Sequence, residues 1–209
     1  MRRYLLPFVG PILGVALSVP AARADVVDFD SISATGFYAD VVPDTGRGPH
    51  LDFPGVSFDG GVVMSGDGWL DMETSPQNLY GSCDYCPLAD GSMLPGFITA
   101  TFTSPVSSVS LDVINGLMAA DFTLTAYDAS NVAIGSTFVR LADFGDPGSV
   151  GTLSLSGPIS WIRITSSQDP GAVDFAIDTV SFRPVPEPAT LALLGTGLAT
   201  LAARRRRQR

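Results

Sequence analysis

The 209-residue chain contains no lysine, one histidine and two cysteines. Between its two ends, over residues 25–183, the basic side chains are Arg47, Arg140, Arg163 and Arg183. They stand against twenty acidic ones, a formal −16, and nearly all of the acids are Asp. A surface this negative repels phosphate, which excludes nucleic-acid binding, and it disfavours adhesion to anionic lipid. Two readings remain for the acidity: solubility outside the cell, or binding of divalent cations. The missing motifs narrow the chemistry further. There is no Gly-x-Ser-x-Gly, no His-Glu-x-x-His and no phosphate-cradling glycine loop, and His50 lies in a Pro/Gly-rich stretch. The chain reads as a non-enzyme. Its plentiful aspartates leave a two-carboxylate glycosidase open but single out no pair. No motif requires a cofactor.

Cys83 and Cys86 stand in Gly81-Ser82-Cys83-Asp84-Tyr85-Cys86-Pro87. Outside the cytoplasm such a pair is oxidised, and the expectation is a structural disulfide. Thioredoxin-like chemistry needs the pair at a helix start beside a βαβ unit, and a zinc site needs further soft ligands beyond His50. Around the cysteines, residues 65–93 read as a long irregular segment carrying Trp69, Tyr80 and Tyr85. Two readings are open here. These rings stack on sugar, with Asp67, Asp71 or Asn78 making hydrogen bonds, or Trp69 and Tyr80 pin the loop to a sheet.

What is abundant is β-forming sequence. Short alternating runs rich in Val, Ile, Thr and Phe are punctuated by Gly, Pro, Asp and Asn. The expected strands are 26–32, 36–41, 56–58, 61–65, 97–103, 106–114, 122–127, 132–139, 151–156, 159–165 and 172–182. Phe122, Leu124 and Ala126 oppose Thr123, Thr125 and Tyr127, and Asp128 to Asn131 carries hairpin-turn chemistry. The spacing indicates an all-β fold, a β-sandwich of jelly-roll type, over residues 25–183. On one strand Trp161 and Arg163 share a face opposite Ile162 and Ile164; this pair is a binding platform, a second buried face or a cation–π contact. Asp28, Asp30, Asp174 and Asp178 fall in the first and last strands, where converging carboxylates would hold a structural calcium ion, although no EF-hand loop is present. The alternative is ordinary edge-strand and turn aspartates.

The ends are addresses. Residues 1–24 have a basic start at Arg2 and Arg3, an apolar stretch and the small-x-small site Ala22-Arg23-Ala24. This is a secretory signal peptide whose removal leaves Asp25 first. Residues 184–209 contain Pro186-Glu187-Pro188, an uncharged apolar run over 189–203 and the basic run Arg204, Arg205, Arg206 and Arg207. As a helix, that run reaches about 22 Å at roughly 1.5 Å per residue, short of a bilayer core of about 30 Å. The arginines keep the cytoplasmic side, leaving everything before Pro186 outside, and the prolines make an extended, protease-accessible strand.

The three parts in this order resemble the PEP-CTERM sorting signal of Gram-negative bacteria. The resemblance implies a membrane-bound exosortase as partner, transient anchoring by the helix, and final residence at the cell surface or in the extracellular matrix or biofilm. The runs VVDFDSI, FTLTAYDASNVAIGS and FAIDTVSF are in turn similar to strands of extracellular jelly-roll domains. Many of those are carbohydrate-binding modules. That likeness implies polysaccharide as a ligand; a purely structural envelope protein is the rival expectation.

Overall fold

The structure is a computed structural model that describes residues 23–34, 36–42, 46–69, 72, 74–185, 195 and 197. The expected signal peptide, apart from Arg23 and Ala24, lies outside the described residues. So do Pro186, Glu187, Pro188, Arg204 to Arg207, all of the apolar run except Gly195 and Gly197, and Asp71. Among the described residues no helix is long and apolar enough to cross a membrane.

Residues 23–185 are all-β. The strands are β1 (Asp25–Val27), β2 (His50–Phe53), β3 (Val56–Asp59), β4 (Val62–Ser65), β5 (Asn78–Cys83), β6 (Phe97–Asn115), β7 (Ala120–Tyr127), β8 (Ala133–Leu141), β9 (Val150–Ser166) and β10 (Asp174–Pro184). Among the described residues of this stretch, two single 3-10 turns, Tyr38–Asp40 and Gly66–Trp69, are the other regular elements. Every pairing is antiparallel, along the path β4-β5-β10-β6-β9-β7-β8, with β1 added to β10 and the β2-β3 hairpin added to β6.

The long strands β6 and β9 serve two half-sheets. The first part of β6 pairs with β3 and the second with β10, while the last part of β9 pairs with β7. Between those parts the β6–β9 register shifts around Thr101, Val106 and Ser108. Pro105 lies at this point in β6, and Gly157, at φ 149°, precedes Pro158 in β9. The local sequence pattern ends a strand at each of these places, predicting 97–103 and 106–114, and 151–156 and 159–165, as separate strands. A proline without an N–H and a glycine at positive φ do interrupt a ladder, but here they make bulges that turn the strand without ending it.

The inner faces of the halves meet through aromatic side chains. Phe122 of β7 lies 5.7 Å from Phe175 of β10, Phe102 of β6 lies 5.2 Å from Phe182 of β10, and Phe58 of β3 lies 5.8 Å from Tyr80 of β5. Val109, Leu111, Val113, Leu124, Ile162 and Ile164 fill the space between, all buried as their alternation requires.

Other expectations shift. The run 26–32 is a strand only over Asp25–Val27. Phe29 then takes φ 60°, a left-handed conformation that costs of order 1 kcal/mol for a bulky residue, and places its ring among Phe53, Phe58 and Tyr80. The run 36–41 contains the 3-10 turn that buries Tyr38 in place of a strand. Strands β2 and β5 were not expected. β5 reads as loop because its sequence is Asn-Leu-Tyr-Gly-Ser-Cys, yet all six residues are buried. Its polar groups have internal partners: the Asn78 amide donates to the Phe29 and Ile32 carbonyls, and the Ser82 hydroxyl donates to the Gly60 carbonyl. Gly81 is required by packing, since a Cβ there would sit 2.6 Å from the Tyr38 hydroxyl.

Candidate functional site: an uncovered sheet face

The outer face of β4-β5-β10 is covered. Val62, Met64, Leu79, Cys83 and Ala176 on the strands, with Ile114 at the end of β6, pack beneath Tyr38, Val41, Trp69, Leu88 and Leu94 from the connecting segments. The outer face of β2-β3-β6-β9-β7-β8 has no such cover among the described residues. Its outward side chains follow from the register. One row runs His50, Asp59, Thr99, Arg163, Thr125 and Ser136; the next runs Asp52, Ser57, Thr101, Trp161 and Tyr127; a third runs Phe97, Thr165, Thr123 and Phe138. None of these residues is buried, and Phe138 is 67% exposed.

Four aromatic rings therefore share this face with five threonines. Tyr127 and Trp161 are cross-strand partners and stack with centroids 3.7 Å apart and planes 2° from parallel. The Trp161 indole N–H donates to Asn131 Oδ1 at 2.9 Å. Asn131 is held for that contact by the β7–β8 hairpin, where it takes φ 62° and its N–H donates to the Asp128 carbonyl. The Asp128 carboxylate accepts the N–H groups of Ser130 and Val132. A short polar side chain tolerates this left-handed position, so turn chemistry places the amide beside the indole.

The Arg163 guanidinium lies 4.5 Å from the Phe97 ring centroid and 5.8 Å from that of Trp161. Of the readings open for Trp161 and Arg163, the cation–π contact is present, and the face is outward. Arg163 makes no ion pair among the described residues, and its Nε is buried without an acceptor. At the flanks, Arg140 pairs with Asp121 at 3.2 Å, an exposed contact worth little in water. His50 Nδ1 lies 2.7 Å from Asp59; that hydrogen bond, then the Asp59 charge, raises the imidazole above its ordinary value.

The rings singled out in the sequence lie elsewhere. Trp69 is 3% exposed and meets Phe144 edge-on at 5.8 Å. Tyr80 is fully buried; its hydroxyl donates to the Pro49 carbonyl and accepts the Gly61 N–H, and burial drives its acidity far down. Both pin the segment to the sheet and offer no ring face to a polymer in this conformation. Tyr85 is 40% exposed and donates weakly to Asp174 Oδ2 at 3.4 Å. The sequence offered no comparable signal for Phe97, Tyr127, Asn131 and Phe138, which join Trp161 only through strand pairing.

Cys83 and Cys86 are joined in a disulfide. Among the described residues, no three of Asp28, Asp30, Asp174 and Asp178 bring carboxylate oxygens within 4.8 Å of one another. Asp178 is buried and accepts from the N–H groups of Thr74, Ser75 and Thr179 and from the hydroxyls of Thr74 and Ser75. Burial raises its carboxyl above the ordinary value and these donors pull it back. Asp30 accepts the N–H groups of Gln77 and Asn78, and Asp28 that of Asp30. Asp174 accepts from Tyr38 and Tyr85 instead. Among the described residues the closely spaced potential ligand group is Cys83, Cys86 and Asp174, and its two sulfurs are bonded to each other.

Three solved structures share part of the chain's shape. The K2 cleaved adhesin domain of Lys-gingipain matches with a TM-score of 0.45 at 9% identity, over 77% of this chain and 99% of that one. A DUF4465 family protein from Bacteroides caccae matches with a TM-score of 0.44 at 11% identity, over 83% and 97%. The CBM22-1 xylan-binding domain from Paenibacillus barcinonensis matches with a TM-score of 0.38 at 12% identity, over 80% and 97%. No curated protein matches the chain. Residues 184–207, the Pro-Glu-Pro, apolar run and arginines read above, match the family model of the PEP-CTERM protein-sorting motif, so the chain carries the mark of an exported protein handed to an exosortase-type enzyme.

Proposed function

We propose that residues 25–183 form a jelly-roll-like β-sandwich held outside the cell, first by the short helix 189–203 and its arginine stop, and then released or transferred at the Pro-Glu-Pro region. Residues 1–24 start its export and are removed. The domain serves the cell surface or extracellular matrix by binding polysaccharide across the outer face of β6, β9, β7 and β8. One observation carries this reading: the stacked Tyr127–Trp161 pair stands on an uncovered face, bonded to Asn131 and surrounded by threonines. Aromatic faces receive the apolar side of a sugar ring, and short hydroxyl and amide groups exchange hydrogen bonds with its rim. Exposed aromatic side chains grouped on one sheet face also mark interaction surfaces in general.

Affinity electrophoresis against a panel of bacterial and plant polysaccharides tests the reading. At least one neutral polymer is expected to retard the protein, with Trp161→Ala and Tyr127→Ala each losing about tenfold in affinity, near 1.4 kcal/mol. If no polymer is retained, the purely structural matrix protein is the better account. Release of reducing ends from a retained polymer would instead favour a glycosidase.

A further inference from the structure

The cover over β4-β5-β10 leaves a cavity of about 160 Å³. Phe37, Tyr38, Met64, Trp69, Phe144 and Asp174 line it. Trp69 and Phe144 meet at 88°, so their rings form adjoining walls, and Phe37, 69% exposed, stands at the surface. The lining carries one charged side chain among the described residues, Asp174. Its Oδ1 accepts the Tyr38 hydroxyl at 3.0 Å, and its Oδ2 accepts the longer bond from Tyr85. No cation pairs with it among the described residues, because the ion pairs there join His50 to Asp52 and Asp59, and Arg140 to Asp121. Gly116 also lines the cavity, and a Cβ there would lie 2.7 Å from the Asp174 carboxyl carbon, so only glycine lets the end of β6 run past it.

We infer that this cavity binds a small organic cation, an alkylated or quaternary ammonium, between the aromatic rings and the Asp174 carboxylate. A carboxylate taken out of water without a counter-ion is costly, and a cation restores its partner. Aromatic walls attract such a cation through their quadrupoles and meet its methyl groups without needing hydrogen bonds. A neutral sugar fits less well: its several hydroxyls would find one carboxyl group and two tyrosine hydroxyls already bonded to it. A hard metal ion fits less well too, for want of oxygens. The volume suits a headgroup and is well below that of drug-sized ligand pockets, about 300–1,000 Å³.

The site also predicts how binding depends on pH. Burial pushes the Asp174 carboxyl up to about 7, against the pull of hydrogen bonds from Tyr38 and Tyr85 and with a push from the Asp84 charge. Facing it are Tyr38 from the 3-10 turn and Tyr85 and Asp84 from the segment after β5. Tyr38 and Tyr85 are both raised above their ordinary value, first by burial and then by the Asp174 charge, so they stay neutral. Cys83 on β5 is in the disulfide and does not titrate.

The test is calorimetric titration of the exported protein with choline and with 3,3-dimethylbutan-1-ol, its uncharged isostere. Choline carries its charge at every pH, so any pH dependence belongs to the protein. Choline is expected to bind at least about tenfold tighter than the alcohol, and to tighten by about tenfold from pH 6 to pH 8 as the carboxyl ionises. Asp174→Asn should remove both effects. Phe37→Ala should weaken choline severalfold at unchanged Tm, which keeps the test decisive if the first variant folds poorly. Equal binding of choline and the alcohol overturns the inference, as does the absence of choline binding up to about 10 mM. Polysaccharide retention by the Trp161 face is read separately and does not bear on it.

Discussion

The outer faces of β4-β5-β10 and of β6-β9-β7-β8 are built from the same kind of strand and end differently. The first carries Val62, Met64, Leu79 and Ala176 beneath connecting segments that bring Tyr38, Trp69 and Leu88 down onto it. The second carries threonines and four aromatic rings, with no cover among the described residues. Trp69 and Trp161 thus serve opposite purposes. One ring closes a second small core; the other is paired, braced by Asn131 and left partly open to solvent. An aromatic residue is informative as a contact candidate only once the cover over it is known.

The largest effect separating the two faces should come from deleting the covered ring. Trp69→Ala is expected to cost about 3–5 kcal/mol in urea unfolding, because it leaves a void between Phe144 and the sheet. A loss below about 1 kcal/mol would mean that the cover is loosely held.

Next comes the acid beneath the cover. The folded state holds the Asp174 carboxyl near 7, above its ordinary carboxylate range. Between about pH 4 and pH 7 the folded chain keeps a proton that the unfolded chain has released, so stability falls as pH rises through that window and levels off above it. Asp174→Asn stays neutral throughout. It should therefore exceed the parent by about 4 kcal/mol at pH 8, with the difference vanishing toward pH 4. Parallel stability–pH curves for the two proteins would show that the carboxyl is not held as described.

Reduction of Cys83–Cys86 should cost about 2 kcal/mol, the chain-entropy value for so short a loop, read as a lower Tm with reductant. The same treatment should leave polysaccharide retention intact, because the bond lies beside the covered face and not the open one.

The smallest expected effect is on the open face. Trp161→Ala should change stability by about 1 kcal/mol, mainly the stack with Tyr127, while polysaccharide affinity falls. Equal destabilisation by Trp161→Ala and Trp69→Ala would erase the distinction between the two faces.

Much of the β pattern could be read locally. The alternation of Phe122, Leu124 and Ala126 with threonines survives as the inner and outer sides of β7, and Asp128 to Asn131 makes the β7–β8 turn. Strand continuity was not legible in the same way. Pro105 and Gly157 look like terminators, and only pairing with neighbours on both sides carries β6 and β9 past them. β5 was hidden for the opposite reason: Asn78, Gly81 and Ser82 look like loop residues until the groups that satisfy or crowd them are known. At the candidate site, Trp161 and Arg163 were visible as neighbours on one strand face, whereas Phe97, Tyr127 and Phe138 arrive from three other strands.

By itself the sequence determined the all-β character and the sorting motif over 184–207, since a two-residue alternation and a contiguous signal are both written in local order. Only the tertiary structure decided which rings are inside, which face is left open and which acid is set among aromatic rings. Those properties depend on contacts such as the bond from Tyr38 to Asp174, 136 residues apart, which burial strengthens and no local window of sequence contains.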